Sequence, residues 1–129
     1  LGTDHLGRDI LSRLLWGTQL SLIVGFLAAL FAAVIGSLLG IIAGSLGGRL
    51  DNFIMRNIDV VMSFPYVLLA LAIVAVLGPS LMNALIAVAI VNIPFFARNV
   101  RGVTITLINS DFIKASRLSG RSQIGILFF

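Results

Sequence analysis

Residues 28–44 read Ala28-Ala-Leu-Phe-Ala32-Ala-Val-Ile-Gly36-Ser-Leu-Leu-Gly40-Ile-Ile-Ala-Gly44, and Gly48 continues the spacing. A small residue recurs at every fourth position. Positions four apart lie on one face of a helix, so these residues form a narrow strip along it. No charged residue lies between Arg13 and Arg49. The stretch therefore predicts a first membrane span at about 20–46, long enough to cross about 30 Å of hydrocarbon with some tilt. In lipid, such a strip lets a second backbone approach closely, and van der Waals contact then holds the pair. Gly36, Gly40 and Gly44 are the predicted helix-packing positions. The alternative is a glycine-rich span with no special contact.

The whole chain agrees with a membrane environment. Of its 129 residues, 59% are hydrophobic and 11% charged, and the mean hydropathy is +1.12. Soluble domains carry about 25% charged residues. The predicted fold class is all-α, a polytopic transmembrane bundle with about three spans. There is no cysteine, which excludes disulfides and thiolate metal sites. The net charge of +4 does not imply nucleic acid, because lysine and arginine cluster at the ends of apolar runs, as membrane orientation requires. The chain begins without methionine and stops inside a new apolar start, Ile124-Gly-Ile-Leu-Phe-Phe129, so it reads as a piece of a longer protein.

Working outward, residues 1–17 predict an external loop and an amphipathic surface helix. Thr3 or Asp4 suits its cap, Leu6, Ile10, Leu11, Leu14 and Leu15 its apolar face, and Trp16 the interface. After the polar break Gly47-Gly48-Arg49-Leu-Asp51, a short helix is expected at 51–59. Gly78-Pro79-Ser80 divides the next uncharged stretch into spans at about 60–78 and 81–98. Both are short, and a re-entrant pair is the alternative. Ser63-Phe64-Pro65 opens the second span, and Pro94 should bend the third. Asn83 and Asn92 sit at membrane depth and need partners within the bundle. Interhelical hydrogen bonding satisfies that need. A sharper reading has Asn92 and Pro94 bordering a solute path.

Three spans leave Arg8 and Arg13, offset by Asp4 and Asp9, on one side. Arg49, Arg56, Arg98, Arg101, Lys114, Arg117 and Arg121 fall on the other. Basic residues in short loops favour the cytoplasm, so residues 102–129 are predicted to be a cytoplasmic loop and the start of a further span. Within it, Ser110 or Asp111 can cap a helix that Gly120 ends. Lys114, Arg117 and Arg121 share one face, opposite Phe112, Ala115, Ser116 and Ser119. Such a helix can dock in a groove of a soluble protein or lie against anionic headgroups.

Lys114-Ala115-Ser116-Arg-Leu-Ser-Gly120 resembles the EAA-type loop of binding-protein-dependent ATP-binding-cassette (ABC) permeases, a MetI-like fold. Lys114 stands where the family has glutamate, and Ser116 replaces its second alanine. The opening Leu1-Gly-Thr-Asp-His-Leu-Gly-Arg-Asp-Ile-Leu-Ser-Arg-Leu-Leu-Trp-Gly17 resembles the dipeptide, oligopeptide and nickel branch. So do Gly47-Gly48 with Asp59, Ser63-Phe64-Pro65 and Ala97-Arg98-Asn-Val-Arg101. The resemblance implies a multi-pass subunit of an importer in a bacterial or archaeal inner membrane, for peptides or a solute such as nickel. It implies cytoplasmic ABC ATPase subunits, a second permease subunit and an extracytoplasmic solute-binding protein as partners, besides the lipid bilayer. It makes Lys114, Ala115, Ser116 and Gly120 ATPase-coupling positions.

Other functions find little support. No Gly-x-x-x-x-Gly-Lys-Ser/Thr loop occurs, so the chain does not bind ATP in that way, and the resemblance implies that ATP is hydrolysed on a separate partner. His5 is the only histidine, and the aspartates form no acid–base pair. No catalytic, cofactor or metal residue is expected. An ion-driven carrier needs ionisable groups within its spans, and these hold none. A structural or channel-type membrane protein without an ATPase partner is the remaining alternative.

Overall fold

The computed structural model of the chain describes residues 2–3, 5–7 and 9–127. Expectations for Asp4 and Arg8, and for the residues beyond 127, lie outside the described residues. The described chain forms six helices: α1 Ile10–Leu46, α2 Gly48–Met62, α3 Tyr66–Leu77, α4 Leu81–Ile108, α5 Asp111–Leu118 and α6 Gln123–Leu127. Apart from one isolated bridge between Thr3 and Asp9, the described residues contain no β-structure.

Helix α1 corrects the expectation of a separate surface helix before the first span. Its cap is Asp9, whose Oδ1 accepts the Leu11 N–H at 3.1 Å while Oδ2 accepts from Ser12 Oγ at 2.9 Å. From there it runs unbroken to Leu46, because nothing near Trp16 stops it. Gly17 costs a helix about 1 kcal/mol at most, and the Thr18 hydroxyl folds back onto the Leu14 carbonyl. Its 37 residues reach about 55 Å, well beyond a hydrocarbon core of about 30 Å. Gly47 (φ +61°) and Gly48 (φ +62°) then reverse the chain through left-handed conformations that residues with a Cβ rarely adopt. Gly48 thus opens α2 and contacts nothing across the α1 strip, so the strip ends at Gly44.

The span expected at 60–78 is also corrected. Helix α2 continues to Met62, and Ser63-Phe64-Pro65 separates it from α3 with a bend of 91°. Proline pushes the residue before it out of the helical region, so Phe64 cannot carry α2 onward. Pro65 has no N–H, and it suits the position just before Tyr66. The 12 residues of α3 cover only about 18 Å, so α3 crosses a membrane only together with α2. Helices α1 and α4 are each long and apolar enough to span alone. Helix α4 does not stop near 98. It continues through Pro94 and the arginines to Ile108, so the connection to α5 is only Asn109 and Ser110.

Contacts fix the directions. Gly36 lies against Ile93, Phe96 and Ala97, Gly40 against Ala97, Val100 and Arg101, and Gly44 against Arg101 and Thr104. Residue numbers climb together, so α1 and α4 run parallel. Tyr66 meets Asn92, while Leu77 and Gly78 meet Asn83, so α3 runs antiparallel to α4. The broken α2–α3 segment is therefore the return stroke between two parallel spans.

Candidate functional site

The seam between α1 and α4 is made of small residues. Ala28, Ala32, Ala43, Ala87 and Ala97 are fully buried, and Gly36 and Gly40 are buried with them. A Cβ added at Gly36 would stand 2.7 Å from the Ile93 carbonyl oxygen, one at Gly40 would stand 2.6 Å from that of Ala97, and one at Gly44 would stand 2.9 Å from Thr104 Cβ. The two backbones are thus in contact with no room for a side chain between them. Large apolar residues such as Leu22, Phe26 and Phe31 point outward, which suits a helix pair whose surroundings are as apolar as its own side chains.

At one end of this seam, two ion pairs tie α2 to α4. Arg101 donates through Nε and Nη2 to the two carboxylate oxygens of Asp51, each at 2.6 Å. The Asp51 side chain is 13% exposed and that of Arg101 31%. One helical turn earlier on α4, Arg98 pairs with Asp59 in the open, the side chains being 51% and 62% exposed. Ile58 of α2 is buried between them in sequence and anchors the same face.

Deeper along α4, the break before α3 adjoins a polar cluster. Asn92 Nδ2 donates to the Tyr66 hydroxyl at 3.0 Å and to the Val88 carbonyl at 2.7 Å. Pro94, two residues on, is buried and leaves the Ile90 carbonyl without its helical donor. These residues border a cavity of about 250 Å³ that Val61, Phe64, Leu69 and Phe95 complete. Asn83, the other polar residue at depth, is used locally: its Nδ2 donates to the Leu77 and Gly78 carbonyls at 3.0 and 2.9 Å and closes the end of α3.

Helix α5 hangs from α4 by the two-residue link. Its last turn ends in the double bond pattern of a left-handed glycine stop: Arg121 N–H donates to the Ser116 carbonyl and Gly120 N–H to that of Arg117, with Gly120 at φ +83°. Ser110 precedes the helix, but its hydroxyl donates back to the Leu107 carbonyl instead of capping α5. Lys114, Ala115 and Gly120 are exposed, whereas Ser116 and Ile113 turn partly toward the body. Phe112 is 74% and Leu118 90% exposed, so α5 shows solvent an apolar as well as a basic surface.

The family described as "Binding-protein-dependent transport system inner membrane component" matches residues 36–129, from the first glycine of the seam through α5. The chain belongs to that family. It is 50% identical over 127 residues to the dipeptide transport system permease protein DppC of Alkalihalophilus pseudofirmus, covering 98% of this chain and 42% of that protein. Over 128 residues it is 45% identical to the di/tripeptide transport system permease protein DppC of Pseudomonas aeruginosa, covering 99% and 42%. The glutathione transport system permease protein GsiD of Salmonella typhimurium is 54% identical over 127 residues, at 98% and 42% coverage. The chain thus spans about two-fifths of the length of these relatives.

Within this chain, the structure brings Gly36, Gly40 and Gly44 together with α4, and Asn92 and Pro94 together at one cavity. Lys114, Ala115, Ser116 and Gly120 form a separate group on α5. Sequence reasoning missed Tyr66 and the pairing of Asp51 with Arg101 and Asp59 with Arg98. A signal for the pairs was present: unlike charges flanking the ends of apolar runs on the same predicted side need partners, and four such groups were available. Tyr66 gave no signal beyond an amphipathic ring next to a proline.

Proposed function

We propose that this chain is the part of an inner-membrane importer subunit that forms one wall of a translocation pathway for peptides and carries the helix that couples it to a cytoplasmic ABC ATPase. The observation that carries the reading is the direct attachment of α5 to α4, which is itself locked along the α1 seam. The family match and the relatives, named for dipeptide, di/tripeptide and glutathione transport, supply the substrate class and favour peptides over nickel. A second permease subunit and an extracytoplasmic solute-binding protein complete the proposed assembly.

The topology supports the sidedness. Parallel α1 and α4 bring Arg49, Arg56, Arg98, Arg101, Lys114, Arg117 and Arg121 toward one end, which the positive-inside tendency assigns to the cytoplasm. In this mechanism, ATP draws two ATPase subunits together and displaces α5 at Lys114, Ala115, Ser116 and Gly120. The α4–α1 pair transmits the displacement as one stiff unit, and the pathway opens to alternate sides. The test is purification of the full-length protein followed by uptake of labelled dipeptides into vesicles. Co-purification of an ATPase and uptake that requires ATP are the expected results. A protein that assembles without any ATPase, as a structural or channel protein would, overturns the reading.

A further inference from the structure

The Tyr66–Asn92 cluster has hydrogen-bonding capacity that the described residues do not use. The Val88 carbonyl can only accept, so it fixes the Asn92 amide with Nδ2 on its side. Both Nδ2 hydrogens are then committed, one to Val88 and one to the Tyr66 oxygen. Among the described residues, no donor reaches Asn92 Oδ1 and no acceptor takes the Tyr66 O–H. Asn92 Oδ1 is not sealed in the interior, since no buried side-chain oxygen or nitrogen lacks a partner among the described residues, and Tyr66 is itself exposed.

The position makes this significant. Asn92 lies twelve residues past Ser80 and six before Arg98, about 18 Å and about 9 Å along α4. That is membrane depth, where an unused carbonyl and hydroxyl facing lipid would each be costly. The backbone at Ser63-Phe64-Pro65 is irregular at the same place, which is tolerated where it lines a protein or water-filled cavity. The cavity of about 250 Å³ beside Tyr66 and Asn92 offers both groups a polar-edged space of the kind such a backbone tolerates.

Side by side, the two groups present an acceptor, Asn92 Oδ1, and a donor, Tyr66 O–H. An extended peptide residue presents the complementary pair on one edge, its own N–H and C=O, as it does to a neighbour in an antiparallel ladder. Resting on the importer reading above, we propose that Tyr66 and Asn92 form a subsite that hydrogen-bonds one extended residue of the peptide backbone of the solute during its passage. Such a site ignores side chains, which suits a path that must pass peptides of varied sequence. The apolar lining from Val61, Leu69 and Phe95 accommodates those side chains without selecting one.

The test uses the full-length permease with its partner subunits and receptor in proteoliposomes. Uptake of trialanine is compared with that of trialanine N-methylated at its second residue, which lacks the N–H that Asn92 would accept. The preference for the unmodified peptide is measured in the parent, in Tyr66→Phe and in Asn92→Leu. The receptor is the same in all three, so its own selectivity cancels from the change in preference. A single lost hydrogen bond corresponds to a change of about three- to tenfold in that preference. We expect Asn92→Leu to lose the preference by that factor, and Tyr66→Phe to raise KM for both peptides with assembly intact. A preference unchanged in both variants overturns the subsite and leaves the pair as a tie between α3 and α4. Should Asn92→Leu not assemble, an unchanged KM in Tyr66→Phe overturns it equally. Absence of any peptide uptake by the parent complex overturns the importer reading itself, and the subsite with it.

Discussion

Helix α4 carries two neighbours that are held in opposite ways. Against α1 it presents backbone and the first side-chain carbons of Phe96, Val100 and Thr104, and the glycines of α1 close the gap until no atom can be added. Against α2 and α3 it presents Arg98, Arg101, Asn92 and Asn83, and the polar contacts are two ion pairs and the hydrogen bonds of the two asparagines across a bent segment. Steric closeness without polar groups has one geometry and resists sliding. Polar ties on long side chains tolerate reorientation. In the proposed importer mechanism, this difference suits α1–α4 to the part of a lever and α2–α3 to that of a jointed element, and each contact can be broken separately.

The largest effect is expected at the seam. In Gly40→Val, the first added carbon would stand 2.6 Å from the Ala97 carbonyl oxygen and 2.9 Å from the Arg101 nitrogen, both backbone atoms that cannot swing aside. Overpacking costs about 1–3 kcal/mol where side chains can adjust, so a backbone clash should exceed that range and abolish assembly of the full-length permease. Size-exclusion profiles and melting temperatures in detergent measure it. Gly25→Ala is the control on the same helix, with open space around the position. It should be neutral or stabilising by up to about 1 kcal/mol, as alanine is the better helix former. Equal behaviour of the two variants would remove the distinction between seam and joint.

Loss of the Asp51 carboxylate should come next. Asp51→Ala leaves the half-buried Arg101 guanidinium without its two-point partner. Breaking a buried pair costs about 3–5 kcal/mol, and the partial exposure of Arg101 puts this pair toward the lower end. The consequence should be local, namely release of α2 with the α1–α4 seam intact. A cysteine introduced at Ile58, buried in the parent, should become reactive to a water-soluble maleimide only in the Asp51→Ala background. An Asp51→Arg, Arg101→Asp exchange should restore protection if the ion pair itself holds the helix.

What could be read from the sequence divides along the same line. The seam was legible because its signal is periodic: Ala28, Ala32, Gly36, Gly40 and Gly44 place small residues on one face whatever the partner turns out to be. The partner was not legible, since α4 meets the strip with a mixture that includes Ile93, Phe96, Val100 and Thr104. Hydropathy located the broken segment but not its form. Hydropathy averages over Val60-Val61-Met62 and Tyr66-Val67-Leu68 alike, whereas the bend comes from Pro65 acting on Phe64. The long-range pairs of Asp51 with Arg101 and Tyr66 with Asn92 join residues 50 and 26 positions apart, and no local pattern encodes them.

Gly120 tests the proposed coupling of α5 to an ATPase instead of either contact. At φ +83° a β-branched residue is strained, at roughly 1–2 kcal/mol by the penalty for left-handed L-residues, but nothing lies within 4 Å for its side chain to strike. Gly120→Val should therefore assemble normally and distort only the end of α5. The expected signature is lower peptide uptake per ATP hydrolysed, measured on the same vesicles. Unchanged coupling would show that α5 transmits through its exposed Phe112 and Leu118 surface alone, with its termination irrelevant.

The smallest effect belongs to the second ion pair. Arg98 and Asp59 are more than half exposed, and exposed pairs contribute about 0.2–1 kcal/mol, less at high salt. Asp59→Ala should shift the melting temperature little and leave the Ile58 position protected, in contrast to Asp51→Ala. The two pairs join the same two helices with the same two residue types, one turn apart on α4 and about two turns apart on α2, and they differ most in burial. If Asp59→Ala releases α2 as fully as Asp51→Ala does, the joint depends on the summed charge of the α4 end and not on the single shielded contact, and the lever must then extend through both arginines.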